Sequence, residues 1–497
     1  MKRFIIATAL LLAVAAYPSL AESGRDIAMK GTKNAPACSA CHGARGAGQP
    51  AAAIPRLAGL NPFYIEHQLT SFADGSRKND TMSPFAKALA PAERQAVAEY
   101  YAGLPLPETA PGKAADAAML TAGAVSAERG DWSRGVPACS QCHGANGAGV
   151  GATFPRLAGQ SANYIAAQLN GWQTGVRRND PMGLMSGISK KLDKNQIAAV
   201  AAYYAALPHA PAATVPSAKP VRHAAAAGKF APPPDSAIPD DDFGRMVRLG
   251  ENIFRDTQHY APHYVGNTLQ CSSCHLDGGR LAGSAPLWAA YVAYPAYRSK
   301  NKHVNTFEER MQGCFRFSMN SKAPPLGSET LVALESYSYF LAKGAPVGAD
   351  MPGRGYPNLP TPPLPFSYAR GEKVYAQHCA LCHGGDGQGQ ASADGAPDFP
   401  PLWGPHSFNW GAGMGSVKNA AAFIKANMPL SRGGSLSVQD SWDVAAYVDG
   451  HERPQDPRFA GSVAATRAKY HDSPMSLYGQ TVNGVLLGGH APSPGGH

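Results

Sequence analysis

Beyond its first residues, the chain lacks any segment that could cross a membrane. No stretch of about 18 uncharged apolar residues occurs after residue 21. Residues 1–21 themselves read as a signal peptide, because Lys2 and Arg3 precede an apolar run and Ser19-Leu20-Ala21 offers small residues for cleavage. We therefore expect a mature protein that is exported to the periplasm and has no membrane span.

The chain also lacks the surface pattern of a nucleic-acid-binding protein. Its formal net charge is +9, but its lysines and arginines are dispersed along the sequence and are not interleaved with aromatic residues. A nucleic-acid partner is therefore excluded from the expected functions.

A third absence is a disulfide framework, which nine cysteines would normally suggest in an exported protein. Eight of the cysteines instead form four Cys-x-x-Cys-His motifs, and Cys314 stands alone. The motifs consist of Cys38, Cys41 and His42; Cys139, Cys142 and His143; Cys271, Cys274 and His275; and Cys379, Cys382 and His383.

This spacing is typical of covalent haem attachment. The two thiols form thioethers with the porphyrin, and the adjacent histidine is delivered to the iron. A zinc site or a redox disulfide could explain one such motif, but four of them in an exported chain predict four covalently bound haem c groups. The motifs therefore predict a protein that transfers electrons.

The first two motifs belong to a tandem duplication. Pro55-Arg56-Leu57-Ala58-Gly59 recurs 100 residues later as residues 155–159. Met82 and Met182 are separated by the same offset, and an Asn-Asp pair lies shortly before each of them.

The pattern as a whole predicts an all-α protein with four class I cytochrome c domains in tandem, joined by Pro- and Ala-rich linkers. The expected segments are 22–107 and 128–208 for the first two domains, 209–240 for a linker, 241–345 and 367–452 for the third and fourth domains, and 453–497 for a C-terminal extension. A helix is expected before each haem motif, at 24–31, 128–135, 243–257 and 368–378. A second helix is expected after each motif, at 91–104, 193–207, 328–343 and 438–451.

An electron-carrying haem needs a second axial ligand, and methionine is the expected one in three of the domains. Met82 and Met182 occupy equivalent positions in the duplication, with Met185 as the fallback in the second domain. In the fourth domain, Met428 is favoured over Met414 because it occupies the same place in the order of elements as Met82.

The third domain departs from this pattern, since Cys314 occupies the corresponding place. Cys314 lies 43 residues after Cys271, and Met82 lies 44 residues after Cys38. An unpaired thiol in an oxidising compartment needs an explanation, and ligation of the haem iron as a thiolate supplies one. Met311 and Met319 are the rival ligands. A thiolate lowers the reduction potential of a haem, so this domain is predicted to be the entry site for electrons.

Two stretches resemble known families. Residues 22–208, with the repeated Pro-Arg-Leu-Ala-Gly motif and Met82 and Met182, resemble dihaem cytochrome c4. Residues 241–480 resemble thiosulfate dehydrogenase through residues 265–270, 314–320 and 427–429. The order of the two stretches resembles a fusion of an electron-accepting dihaem subunit to the dehydrogenase.

The resemblance implies oxidation of two thiosulfates to tetrathionate, with some members of the family working better in reverse. The family's His/Cys-ligated active-site haem falls on His275 and Cys314, and its substrate-binding residues fall on Arg310 and Ser318 and near Arg298 or Lys300. A soluble cytochrome, a high-potential carrier or a terminal oxidase is implied as the electron acceptor. Two alternatives stay open, a non-enzymatic multihaem relay and a sulfur-conjugating cytochrome of the thiosulfate-oxidising complex.

Overall fold

The computed structural model describes residues 20–107, 115–208, 230–298, 302–392 and 397–490. Residues 1–19 of the expected signal peptide and residues 209–229 of the expected linker lie outside this part of the chain. The chain divides into two compact units at residues 108 and 109. None of the described helices combines the length and the apolar character that crossing a bilayer would require.

The first unit is a single small helical domain. Its helices are α1 (Leu20–Lys30), α2 (Ser39–His42), α3 (Pro62–Asp74), α4 (Met82–Ala88) and α5 (Pro91–Ala102). Helix α2 carries the haem motif, and the core includes Ile65, Val97 and Tyr101.

The second domain opens the second unit and repeats this arrangement. Its helices are α6 (Ala117–Glu128), α7 (Ser140–His143), α8 (Ala162–Thr174), α9 (Leu184–Ser189) and α10 (Lys194–Ala206). The helix expected at 128–135 is wrong, because the helix ends at Glu128 and only a 3-10 turn follows at Trp132–Arg134. The segment 117–128 is rich in alanine, the strongest helix former, and the Asp116 side chain accepts a hydrogen bond from the Ala118 amide at its start.

The third domain contains helices and one short strand pair. Its elements are α11 (Asp242–Arg255), α12 (Thr257–Tyr260), α13 (Leu276–Gly279), α14 (Leu287–Tyr291), β1 (Ala296–Arg298), β2 (His303–Asn305), α15 (Phe307–Phe317) and α16 (Glu329–Leu341). Strands β1 and β2 pair antiparallel, with Tyr297 opposite Val304. Helix α15 begins with a capping box between Thr306 and Glu309 and carries Cys314 in its last turn.

The fourth domain and the C-terminal extension pack into one body. Their elements are α17 (Tyr368–His378), α18 (Ala380–His383), β3 (Gln390–Ala391), β4 (Pro397–Phe399), α19 (Val417–Asn427), α20 (Val438–Asp449), α21 (Val463–Tyr470), β5 (Thr481–Val482) and β6 (Val485–Leu486). Strand β3 pairs with β4 and β5 pairs with β6. Leu477, Tyr478 and Leu487 of the extension share a hydrophobic cluster with Trp410 and Trp442, so the extension is part of the domain core.

A glycine on the first helix of each domain permits close contact with the last helix. A Cβ atom at Gly24, Gly123, Gly250 or Gly371 would collide with a backbone carbonyl of the partner helix, at Ala96, Ala199, Ala333 and Asp443 respectively. The same contact in four domains fixes how each helix pair crosses beside its haem motif.

A buried ion cluster joins the second domain to the third. Arg129 donates to Glu251 at 2.8 Å and also contacts Asp235, and Arg255 donates to Glu251 at 2.9 Å. Although burial alone raises the pKa of Glu251, the two arginines outweigh it and lower that pKa to about 2. The carboxylate therefore stays ionised and holds the two domains together.

Candidate functional site

The histidines of the four haem motifs share one hydrogen-bond geometry. In each, Nδ1 lies within hydrogen-bonding distance of a backbone carbonyl, and the partners are Pro55 for His42 at 3.1 Å, Pro155 for His143 at 2.9 Å, Ala285 for His275 at 2.6 Å and Pro400 for His383 at 2.9 Å. Because a carbonyl can only accept, Nδ1 carries the proton and Nε2 is left with a free lone pair.

Burial keeps these rings neutral. It lowers the pKa of His42, His143 and His383, and it lowers that of His275 to about 4. A neutral imidazole with its proton fixed on Nδ1 is the form that binds iron through Nε2. The nine cysteines are all free of disulfides, so the paired thiols are available for thioether bonds. The residues present therefore fit covalent haem c.

The expected methionine ligands of the first two domains lie at the start of a short helix and within a 3-10 turn. The Met82 amide, at the start of α4, donates to the Asn79 side chain at 2.8 Å. Met182 lies in a 3-10 turn with a φ of 54°, and its carbonyl accepts a hydrogen bond from Arg432 of the fourth domain. Met185 packs against the core of the second domain. Ligation by Met82 and Met182 stays a prediction.

The fourth haem motif borders a cavity of about 340 Å³. The cavity is lined by Cys379, Cys382 and His383 together with both candidate ligands, Met414 and Met428. Met428 directly follows α19, whereas Met414 also packs against the cores of the third and fourth domains. These contacts give Met414 a packing role and favour Met428 as the ligand.

We expect replacement of Met428 by leucine to remove one methionine–iron charge-transfer band from the near-infrared spectrum and to lower one reduction potential, because methionine ligation raises the potential of a haem. Met414→Leu is the matched control and should preserve both properties. The reverse pattern would assign the ligand to Met414.

In the third domain, Arg310 and Cys314 lie one turn apart on α15. Arg310 Nη1 donates to Cys314 Sγ at 2.8 Å, and the negative charge of the sulfur as a thiolate raises the pKa of Arg310 above its usual range. Cys314 also interacts electrostatically with Cys271 and Cys274, which places it near the haem motif.

The rival sulfur ligands have another role in the fold. Met311 and Met319 are 8 % and 3 % exposed, and both belong to the hydrophobic core of the third domain. Their packing in the core favours Cys314 over both methionines as the sulfur ligand of the third haem. Ligation by Cys314 stays a prediction.

A cavity of about 220 Å³ lies beside Arg310. It brings together three of the expected substrate residues, Arg298, Arg310 and Ser318, while Lys300 lies outside the described residues. Arg298 donates to the Tyr294 hydroxyl at 2.9 Å, which fixes the direction of its guanidinium group. Two guanidinium groups at one small cavity favour an oxyanion ligand, since arginine forms charge-assisted hydrogen bonds with such groups.

Sequence reasoning missed several residues of this site. Gly413 and Asn419 line the cavity from the fourth domain, and the Asn419 side chain donates to the Gly413 carbonyl at 2.8 Å. Burial raises the pKa of Tyr356, a residue that also interacts electrostatically with Arg310 and Cys314. No local motif marks these residues, because only tertiary packing brings Gly413 and Asn419 to the cavity and Tyr356 close to Arg310 and Cys314.

The haem motifs of the second and fourth domains meet at one apolar contact. Phe154 and Phe399 have ring centroids 5.1 Å apart, and Val150 pairs with Ser392 in an antiparallel bridge. Cys142 and Cys382 pack against the cluster formed by Val150, Phe154 and Phe399. The cavity of the fourth domain also reaches Ser140 and Gln141 of the second haem motif and Cys274 of the third.

Family models for cytochrome domains match four parts of the chain. "Cytochrome C oxidase, cbb3-type, subunit III" matches residues 22–100 and 366–448, "Cytochrome c" matches 136–207, and "SoxA/TsdA, cytochrome c domain" matches 261–347. These matches confirm an all-α cytochrome c architecture with covalently bound haem c.

A thiosulfate dehydrogenase of Thiomonas intermedia (strain K12) is 63 % identical over 303 residues, which cover 60 % of this chain and 96 % of that protein. The chain belongs to the thiosulfate dehydrogenase family. A "thiosulfate dehydrogenase electron acceptor" from the same organism is 48 % identical over 177 residues, which cover 36 % of this chain and 81 % of that protein.

One solved structure of a thiosulfate dehydrogenase matches almost the whole chain. The structure of thiosulfate dehydrogenase (TsdBA) from Marichromatium purpuratum, in its as-isolated form, aligns with a TM-score of 0.87 and 47 % identity. The alignment covers 95 % of this chain and 100 % of that chain. The expected resemblance to a thiosulfate dehydrogenase with an N-terminal cytochrome c4-like half is thereby confirmed.

Proposed function

We propose that the protein is a periplasmic tetrahaem thiosulfate dehydrogenase that forms tetrathionate and can also run in reverse. Two thiosulfate dianions join through their outer sulfurs, lose two electrons and leave as one tetrathionate dianion. Haem c, bound at the four motifs, supplies the one-electron acceptors for this oxidation. A soluble cytochrome, a high-potential carrier or a terminal oxidase then takes up the electrons.

The observation that carries this proposal is the hydrogen bond from Arg310 to Cys314 beside the arginine-lined cavity. Arg310 serves two partners there, because one Nη1 proton faces the sulfur and the other guanidinium protons are available to an oxyanion. Arg298 adds a second cation, and the Ser318 hydroxyl adds a neutral hydrogen-bond donor. These groups offset the repulsion between two dianions that must approach each other.

Cys314 has the chemistry that the reaction needs at this cavity. Its sulfur would serve as a ligand for the haem iron, and it accepts a hydrogen bond from the adjacent guanidinium group. Arg310 contacts this sulfur and also offers positive charge to the substrate, so both functions depend on one side chain.

Contacts between domains support electron transfer within the chain. The second and fourth motifs approach each other through Phe154 and Phe399, and the cavity of the fourth domain extends to Cys274 of the third motif. This continuity favours the enzyme over a separate carrier, since the cavity at the fourth haem motif reaches the third haem motif, beside which the substrate is proposed to bind.

The test is anaerobic mixing of the oxidised holoprotein with thiosulfate. We expect rapid haem reduction and, with an excess of a chemical oxidant, one free tetrathionate for every two thiosulfates consumed, measured by ion chromatography. The fully reduced protein should be reoxidised by tetrathionate. A non-enzymatic relay would give no reduction, and a sulfur-conjugating cytochrome would give a protein-bound product without free tetrathionate.

Cell fractionation and N-terminal sequencing of the mature protein test the periplasmic location.

A further inference from the structure

The C-terminal extension reaches the back of one wall of the oxyanion cavity. Phe317, the last residue of α15, lines this cavity together with Arg310 and Ser318. The guanidinium carbon of Arg458 lies 4.8 Å from the centroid of the Phe317 ring and 4.3 Å from that of Tyr470. A cation from the extension is therefore held against an aromatic side chain of the cavity wall.

A buried hydrogen-bond chain holds Arg458 in place. Its Nε and Nη2 atoms donate to the two carboxylate oxygens of Asp456 at 3.0 and 2.6 Å. Asp456 is fully buried and lies 2.9 Å from His471 Nε2, while His471 Nδ1 lies 3.1 Å from the Ser476 hydroxyl. Burial raises the pKa of Asp456, but the hydrogen bonds from His471 and Arg458 outweigh it and hold the carboxyl in its ionised form.

This arrangement leaves the flat face of the guanidinium group to the aromatic rings. Asp456 engages Arg458 along the edge formed by Nε and Nη2, which is the planar fork that arginine presents to carboxylates. Contact between the guanidinium face and a ring is a cation–π interaction, and it fixes the ring in one orientation.

We propose that Arg458 is a positioning residue for oxyanion binding, which holds Phe317 in place at the cavity wall. This inference rests on the proposed function and deepens it, because Phe317 lines the cavity in which the sulfur oxyanion is proposed to bind. It also assigns a role to Asp456, His471 and Ser476, which orient Arg458 from within the core of the extension.

The test compares Arg458→Gln and Arg458→Lys with Lys469→Gln in the holoprotein. Lys469 is the matched control, because it is a cation of the same extension that lies over the Tyr470 ring at 5.2 Å. In Arg458→Gln we expect the KM for thiosulfate to rise about threefold to tenfold with kcat within a factor of two, since the position of the cavity wall acts on binding. Arg458→Lys should recover only part of this loss, because lysine lacks the planar fork that binds Asp456 and the flat face that packs on the rings. Lys469→Gln should match the wild type.

Tetrathionate binding to the oxidised protein, measured by calorimetry, separates this inference from the proposed function. The oxidised protein cannot reduce tetrathionate, so the measurement needs no turnover, and the Kd should rise in Arg458→Gln by the same factor as the KM. An unchanged Kd, an equal change in Lys469→Gln, or a fall in kcat that parallels a loss of thermal stability would overturn the positioning role. Normal tetrathionate binding in a wild-type protein that thiosulfate fails to reduce would instead overturn the proposed function alone.

Discussion

Replacing Cys314 by glycine should abolish thiosulfate turnover, with a loss of roughly a thousandfold or more in kcat. The variant removes the sulfur that accepts the Arg310 hydrogen bond and leaves a half-buried guanidinium group without its sulfur partner. All four haem groups should remain attached, because Cys314 belongs to none of the four Cys-x-x-Cys-His motifs. The measurements are steady-state kinetics and haem content by the pyridine haemochrome assay.

Met311→Leu is the matched control for this variant, since Met311 lies on the same helix and is a rival sulfur ligand buried in the core. We expect it to retain most of the activity and the low-spin thiolate signal in electron paramagnetic resonance. Cys314→Gly should lose that signal. Full activity in Cys314→Gly would contradict the mechanism and reduce Cys314 to a packing residue.

Arg310→Gln should lower kcat/KM for thiosulfate by about a hundredfold to a thousandfold. The substitution removes a guanidinium group that donates a hydrogen bond to Cys314 and offers charge to the incoming oxyanion, so binding and the chemical step should suffer together. Arg310→Lys should recover only part of the loss, because lysine keeps the charge but lacks the planar fork that serves two partners at once.

Arg316 provides the control for this second variant. It lies on the same helix, it is exposed, and Arg316→Gln removes the same unit of charge. If Arg316→Gln slowed turnover as much as Arg310→Gln, the effect would come from the general field of the domain, and the assignment of a specific oxyanion contact would be wrong.

Much of this architecture follows from short-range patterns. The helix before the fourth haem motif has the predicted bounds, Tyr368–His378, and the last helix of each domain lies where apolar residues recur at helical spacing. The helix of the second domain at Ala117–Glu128 was missed because the segment was interpreted as part of a Pro- and Ala-rich linker. Its alanine content and its Asp116 cap are both visible in the sequence.

The cavity could be predicted only in part. Arg310, Cys314 and Ser318 recur every four residues along α15 and its C-cap, so their spacing alone places them on one face of the helix. Asn419 and Arg458 come from elements more than 100 residues away, and their approach depends on how the fourth domain and the extension pack against α15. Such tertiary contacts leave no periodic signal in a single sequence, which explains why both residues appear only in the structure.

The contact between Phe154 and Phe399 joins the fourth domain, in the half similar to thiosulfate dehydrogenase, to the second domain, in the half similar to cytochrome c4, within one polypeptide. Covalent linkage replaces a bimolecular encounter by an intramolecular one, with an effective local concentration set by the linker rather than by expression levels. Transfer between the two halves should therefore be insensitive to dilution and to competing redox proteins. Collisions with outside carriers would limit the flux only after the electrons have left the catalytic half.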